Sequence, residues 1–300
     1  SAASDVYKRQ GDPGGPLLFA LAMEPALEEI QTQLGSEAHV LAYLDDVFLL
    51  VPAPQAAHSF RVAEEALRQR CGLAIKLSKC KIFAPAGGRV RGPDVEKGGR
   101  FFDVPRGARG LLVVGGPVGS PEHQAQTLRN EGLRNAKVLF ETLPRLPTAQ
   151  GGLVLLRSCG VPEFSYYLRV TPPSTGAAVG SEFGQALASA FSDLTRVPLT
   201  ELNEHRGEGA PSTAWAQAQL PVRHGGFGLR CQHDLAPLAY LGSLAQCLAP
   251  LRQALPSLRP KINVLLTPAE PSLPSLEEAR EALLTLQREG VAATLGHDVP

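Results

Sequence analysis

The stretch that most constrains this chain is His39 to Val51, HVLAYLDDVFLLV. Two runs of mostly β-favouring apolar residues, Val40 to Tyr43 and Val47 to Val51, flank an acidic step at Asp45 and Asp46. That is the pattern of a strand, a tight turn and a returning strand. Two neighbouring carboxylates then share a hairpin tip. Like charges at this range repel, and one pKa rises unless something positive binds the pair. Hard oxygen donors from two aspartates suit Mg2+, which is commonly held by one or two carboxylates together with substrate phosphates. A plain Asp-Asp turn on a surface hairpin explains the same residues, and the surrounding chain decides between the two.

Upstream, QGDPGGP at residues 10–16 is a Gly/Pro cluster that cannot be helix or central strand. It leads into a helical pattern in which Leu17, Leu18, Leu21, Met23, Leu27, Ile30 and Leu34 recur at helix-like spacings. A buried helix is expected, kinked or split at Pro25. After the hairpin, Ala57, Phe60, Ala63, Leu67 and Cys71 mark an amphipathic helix ended by Gly72, its apolar face covering one side of the hairpin. GLAIKLSKCKIF, residues 72–83, is short and strand-like, as are Phe101 to Val104 and Leu111 to Val114, with Gly115 to Gly119 as a closing turn. From Glu122 onward helical periodicity dominates, with breaks expected at Val170 to Gly180 and Arg206 to Ser212 and a last helix near Ser275 to Glu289.

Four of these segments carry a family resemblance. Tyr43-Leu44-Asp45-Asp46 between apolar strands resembles the YxDD box of reverse transcriptases. QGDPGGPLLF resembles the segment that precedes that box in elements of the non-LTR retrotransposon type, usually QGDPLGPLLF, with Gly14 where Leu is usual. Residues 72–83 resemble GLxLNxxKxxxF, with Lys76 in place of Asn, and residues 115–119 resemble LGxPIG, with Gly115 in place of Leu. Stretches at 155–157, 167–173, 215–217 and 220–230 resemble downstream parts of retrotransposon polymerase chains.

The resemblance implies an α+β fold: an antiparallel palm sheet with packed helices over residues 10–120, an all-α thumb or connector over 121–250, and a helical, proline-rich segment over 251–300. It implies that Asp45 ligates catalytic Mg2+, two ions in an intact enzyme, with Asp46 assisting, and that Lys79 protonates the leaving pyrophosphate. Gln10, Gly11, Asp12, Pro13 and Tyr43 inherit a substrate-side role, and Gly116, Pro117, Val118 and Gly119 a primer grip. The partners are an RNA or DNA template with primer, and dNTP. The family's further metal-binding Asp lies upstream of QGDP, as do its basic fingers. Nine residues precede Gln10 here, so the resemblance implies an N-terminally truncated fragment, inactive alone. Residues 1–9 show no pattern continuous with the rest of the chain and read as a scar or a disordered segment.

Composition bounds these readings. Twenty-nine Lys and Arg balance 29 Asp and Glu, mildly against a nucleic-acid binder, yet Lys76 to Arg109 holds nine basic residues against three acidic. That stretch supports a second reading, a nucleic-acid-binding retrotransposon remnant without catalysis. An Asp-dyad hydrolase is disfavoured, because no Ser, Cys or His nucleophile arrangement accompanies the pair. The five cysteines are widely spaced and free of CxxC, as in buried thiols of a reducing, intracellular compartment, cytoplasm or nucleus. His224, Cys231 and His233 fit no standard zinc spacing. No apolar run approaches the ~18 residues of a membrane span.

Overall fold

The computed structural model describes residues 13–85, 88–91, 101–104, 110–203, 213–255 and 274–288. The fold is α+β, and the chain divides into two compact units, Ser1–Val114 and Gly115–Pro300.

In the first unit, helix α1 (Gly15–Leu34) starts with a proline in its opening turn, where a missing N–H costs nothing. It runs through Pro25 as one helix rather than splitting there. Met23, Ala26, Ile30 and Leu34 form its buried stripe, but Leu17, Leu18 and Leu21 are 63%, 64% and 55% exposed. The expectation of a buried helix therefore holds only for the C-terminal half. Strands β1 (His39–Tyr43) and β2 (Asp46–Leu50) follow, then helix α2 (Ala56–Cys71). Gly72 closes α2 in the left-handed conformation, φ 65°, and its N–H donates to the Leu67 and Arg68 carbonyls. α2 buries Val62, Ala63, Ala66 and Leu67 against α1, while Phe60 stays half-buried. Val40, Val47 and Leu49 of the hairpin pack on the same cluster. Each fully buried Leu, Ile or Val contributes about 1.5–3 kcal/mol.

The strand expected in residues 72–83 does not form. This segment is irregular apart from one 3₁₀ turn, Leu77–Lys79, and Lys76 through Lys79 are exposed with no neighbouring strand among the described residues. Strands β3 (Gly88–Arg91) and β4 (Phe101–Val104) pair antiparallel, Gly88 opposite Val104 and Arg91 opposite Phe101. A third ribbon joins β5 (Gly110–Val113) to β6 (Gly116–Gly119). Its tip is Val114 and Gly115, both left-handed at φ 50° and 79°. Gly116 to Gly119, expected as a turn, is thus itself a strand, and the turn lies just before it.

The second unit is helical. α3 (Pro121–Thr127), capped by Ser120 Oγ accepting from His123 N at 3.2 Å, continues through a π-helical stretch, Leu128–Leu133, into α4 (Arg134–Thr142). α5 (Ala149–Leu155), a second π stretch (Leu156–Gly160), α6 (Ser165–Val170) and the long α7 (Pro173–Thr195) follow. The chain then forms α8 (Ala214–Gln219), α9 (Gln232–Ala254) and α10 (Pro274–Arg288). α7 is central, burying Val179, Phe183, Leu187 and Phe191, and Phe183 stacks on Phe164 with ring centroids 5.0 Å apart. A Cβ at Gly180 would sit 3.0 Å from the Gln232 backbone, so this glycine lets α9 approach α7 closely. The helix break expected over Val170 to Gly180 is confined to Thr171 and Pro172, because Gly176 and Gly180 serve packing rather than a turn. Residues 206–212 lie outside the described residues.

Candidate acidic hairpin site

β1 and β2 pair in the register His39↔Leu50, Val40↔Leu49, Leu41↔Phe48, Ala42↔Val47, Tyr43↔Asp46. Alternation then decides which side each residue serves. Val40, Val47 and Leu49 turn to the core, so Leu41, Tyr43, Asp46 and Phe48 share the opposite face. Tyr43 is 57% exposed. Leu44 and Asp45 form the two-residue loop, and Leu44 takes φ 53°. A hairpin loop this short needs positive φ at its first position, normally supplied by Gly, Asn or Asp. A leucine there costs roughly 1–2 kcal/mol. The register therefore holds a strained tip that puts both aspartates at the bend.

Asp45 and Asp46 are exposed, and among the described residues neither carboxylate has an ion-pair or side-chain hydrogen-bond partner. The strand entry is fixed by Gln31 on α1. Its amide donates to Gly35 O at 3.0 Å and Ala38 O at 2.8 Å, and its Oε1 accepts from Val40 N at 3.0 Å. One side chain thus satisfies three backbone groups between helix and strand. Gln31 carried no signal in the sequence, being one polar residue among several on α1.

The other predicted site residues lie on other segments of the chain. Pro13 is exposed in the turn before α1; Gln10, Gly11 and Asp12 lie outside the described residues. Lys79 ends the 3₁₀ turn, exposed, its N–H donating to Lys76 O at 2.9 Å. Gly116 and Pro117 are buried, while Val118 is exposed. Of the basic residues between Lys76 and Arg109, Lys97, Arg100, Arg106 and Arg109 lie outside the described residues. The cysteines are free but not deeply buried, since Cys159 and Cys247 are exposed and the other three half-buried. Burial pushes the Cys80 and Cys231 thiols up, which keeps them protonated and poorly nucleophilic.

Residues 6–127 match the reverse transcriptase (RNA-dependent DNA polymerase) family. The hairpin and its helical support lie within this reverse transcriptase match. No curated protein and no solved structure matches the chain. Reverse transcriptases bind nucleic-acid template and dNTP and use divalent metal. Two exposed, unpaired carboxylates fit such an ion as hard donors. Among the described residues, no group of three or more His, Cys, Asp or Glu comes together, so the tip offers a partial ligand set. No helix among the described residues is long and apolar enough to cross a membrane.

Proposed function

We propose that this chain carries the metal-binding hairpin of an RNA-directed DNA polymerase of non-LTR retrotransposon type. In this reading Asp45 and Asp46 hold Mg2+ against a dNTP and the end of a primer on an RNA or DNA template. The observation that carries it is a two-residue turn, Leu44 and Asp45, that leaves Asp45 and Asp46 exposed and, among the described residues, without a side-chain partner, set inside a segment that matches the reverse transcriptase family. The bound ions, two in a complete centre, would lower the barrier to in-line phosphoryl transfer by stabilising the attacking and leaving oxygens. Asp45 and Asp46 supply charge and position, Tyr43 lines the nucleotide side, Lys79 delivers a proton, and residues 116–119 hold the primer.

Mn2+ binding, followed by electron paramagnetic resonance with primer-template and dNTP present, tests this. Asp45→Asn and Asp46→Asn are each expected to weaken it about tenfold or more. Wild-type Mn2+ affinity in both variants would overturn the metal role.

The nine basic against three acidic residues from Lys76 to Arg109 support a second reading, nucleic-acid binding without catalysis. It predicts no primer extension by residues 1–300 with Mg2+ and dNTPs, and primer-template binding that survives Asp45→Asn. Extension that Asp45→Asn abolishes rules this second reading out.

A further inference from the structure

The segment from Leu220 to Arg230 is not used by the hairpin chemistry, and it is built tightly. Gly226 N donates to Pro221 O at 3.3 Å, Phe227 N to Ala218 O at 3.0 Å and Gly228 N to Leu220 O at 2.8 Å. A Cβ at Gly226 would run into the Leu220 carbonyl oxygen, an approach no side chain tolerates. The result is a rigid surface knuckle. On it Phe227 is 46% exposed, its ring resting on buried Phe191 at a centroid distance of 5.5 Å. One part of the ring is anchored and the rest meets water.

Three arginines lie on or against this segment. Arg223 and Arg230 belong to the knuckle, and the Arg157 stem lies over Gly228, where a Cβ would be 3.1 Å from Arg157 Cδ. All three are exposed, and among the described residues none forms an ion pair with a carboxylate. Arg223 Nε donates instead to His224 Nε2 at 3.1 Å. A half-exposed aromatic anchored from below, on a segment that carries guanidinium groups with no carboxylate partner among the described residues, is a combination that can stack an unpaired base and track its phosphates.

We propose that this knuckle binds single-stranded nucleic acid, Phe227 stacking on a base while Arg157, Arg223 and Arg230 contact the adjoining phosphates. The site lies within the second unit and does not use the hairpin carboxylates. Duplex binds more weakly, because its bases are already stacked.

The test is fluorescence anisotropy of the 300-residue chain with a labelled oligonucleotide of about 15 residues across a salt series. Circular dichroism checks the fold of each variant. Arg223→Ala and Arg157→Gln, the latter keeping the stem over Gly228, are each expected to reduce the slope of log K against log salt by about 0.7. Phe227→Leu keeps the apolar contact with Phe191 and should weaken binding about tenfold at every salt with the slope unchanged, and Phe227→Tyr should restore it. Asp45→Asn should leave it intact. Failure of the wild-type chain to bind, or wild-type affinity in the Arg and Phe227 variants, overturns the proposal. So does displacement by polyglutamate at matched charge with Phe227→Leu without effect, which marks an acidic protein partner. Loss of oligonucleotide binding in Asp45→Asn alone places the contact at the hairpin and overturns the knuckle while sparing the metal reading.

Discussion

The acidic tip at Leu44 and Asp45 and the basic knuckle at Leu220 to Arg230 hold charge at the surface by opposite means. The tip is placed by strand register, and its first loop residue is a leucine in a conformation that leucine resists. Nothing crowds it. The knuckle is placed by crowding, since backbone carbonyls press so closely on Gly226 that no Cβ fits. A position set by pairing tolerates side-chain replacement at the turn, whereas one set by close approach does not. The first stores its specificity along the strands and the second at a single atom.

Phe191→Ala should have the largest effect. It removes the buried ring beneath both Phe227 and Trp215, and about 3–5 kcal/mol of stability with it. Trp215 is the chain's sole tryptophan, so a denaturant melt followed by its fluorescence reports this region alone. A loss under 1 kcal/mol would mean the knuckle stands without its aromatic floor. Gly226→Ala comes next, at about 2–3 kcal/mol by the same readout, because the Leu220 carbonyl must move. If the protein accepts this alanine freely, the contrast between the two turns fails.

Gln31→Ala tests the support of the tip. Loss of three hydrogen bonds between α1 and the start of β1 should cost about 1–3 kcal/mol, seen as faster amide exchange across residues 39–50. Unchanged exchange would show that register alone suffices. Leu44→Gly is the smallest effect and has the opposite sign. Relief at φ 53° outweighs the added freedom of the unfolded chain by about 0.5 kcal/mol, and the lost side chain is 46% exposed. Destabilisation by this glycine would show that the Leu44 side chain, rather than its backbone, matters.

The hairpin was legible because β-favouring runs on either side of an acidic pair admit few other structures, and α2 ended at Gly72 as its glycine foretold. The exposure of Leu17, Leu18 and Leu21 was not, since periodicity finds an apolar face but says nothing of whether a neighbour covers it. Gly116 to Gly119 looked like a turn because Gly and Pro punctuate most chains, whereas here the tip falls one step earlier, at Val114 and Gly115. Gly176 and Gly180 misled in the same way, for they admit α9 against α7 instead of ending a helix. Of the candidate site, Tyr43, Asp45 and Asp46 assembled locally, on one hairpin. Lys79, Pro13 and the residues 116–119 depend on tertiary placement that spacing along a chain does not encode.

The pairing of Tyr43 with Asp46 leaves the ribbon with a parity. Adding or deleting one residue between His39 and the tip would send Asp46 and Tyr43 inward and bring Val40 or Leu49 out. Point substitutions leave that parity untouched. The length of this segment, counted odd or even, is therefore under a stricter constraint than its composition, and a viable insertion there comes in twos.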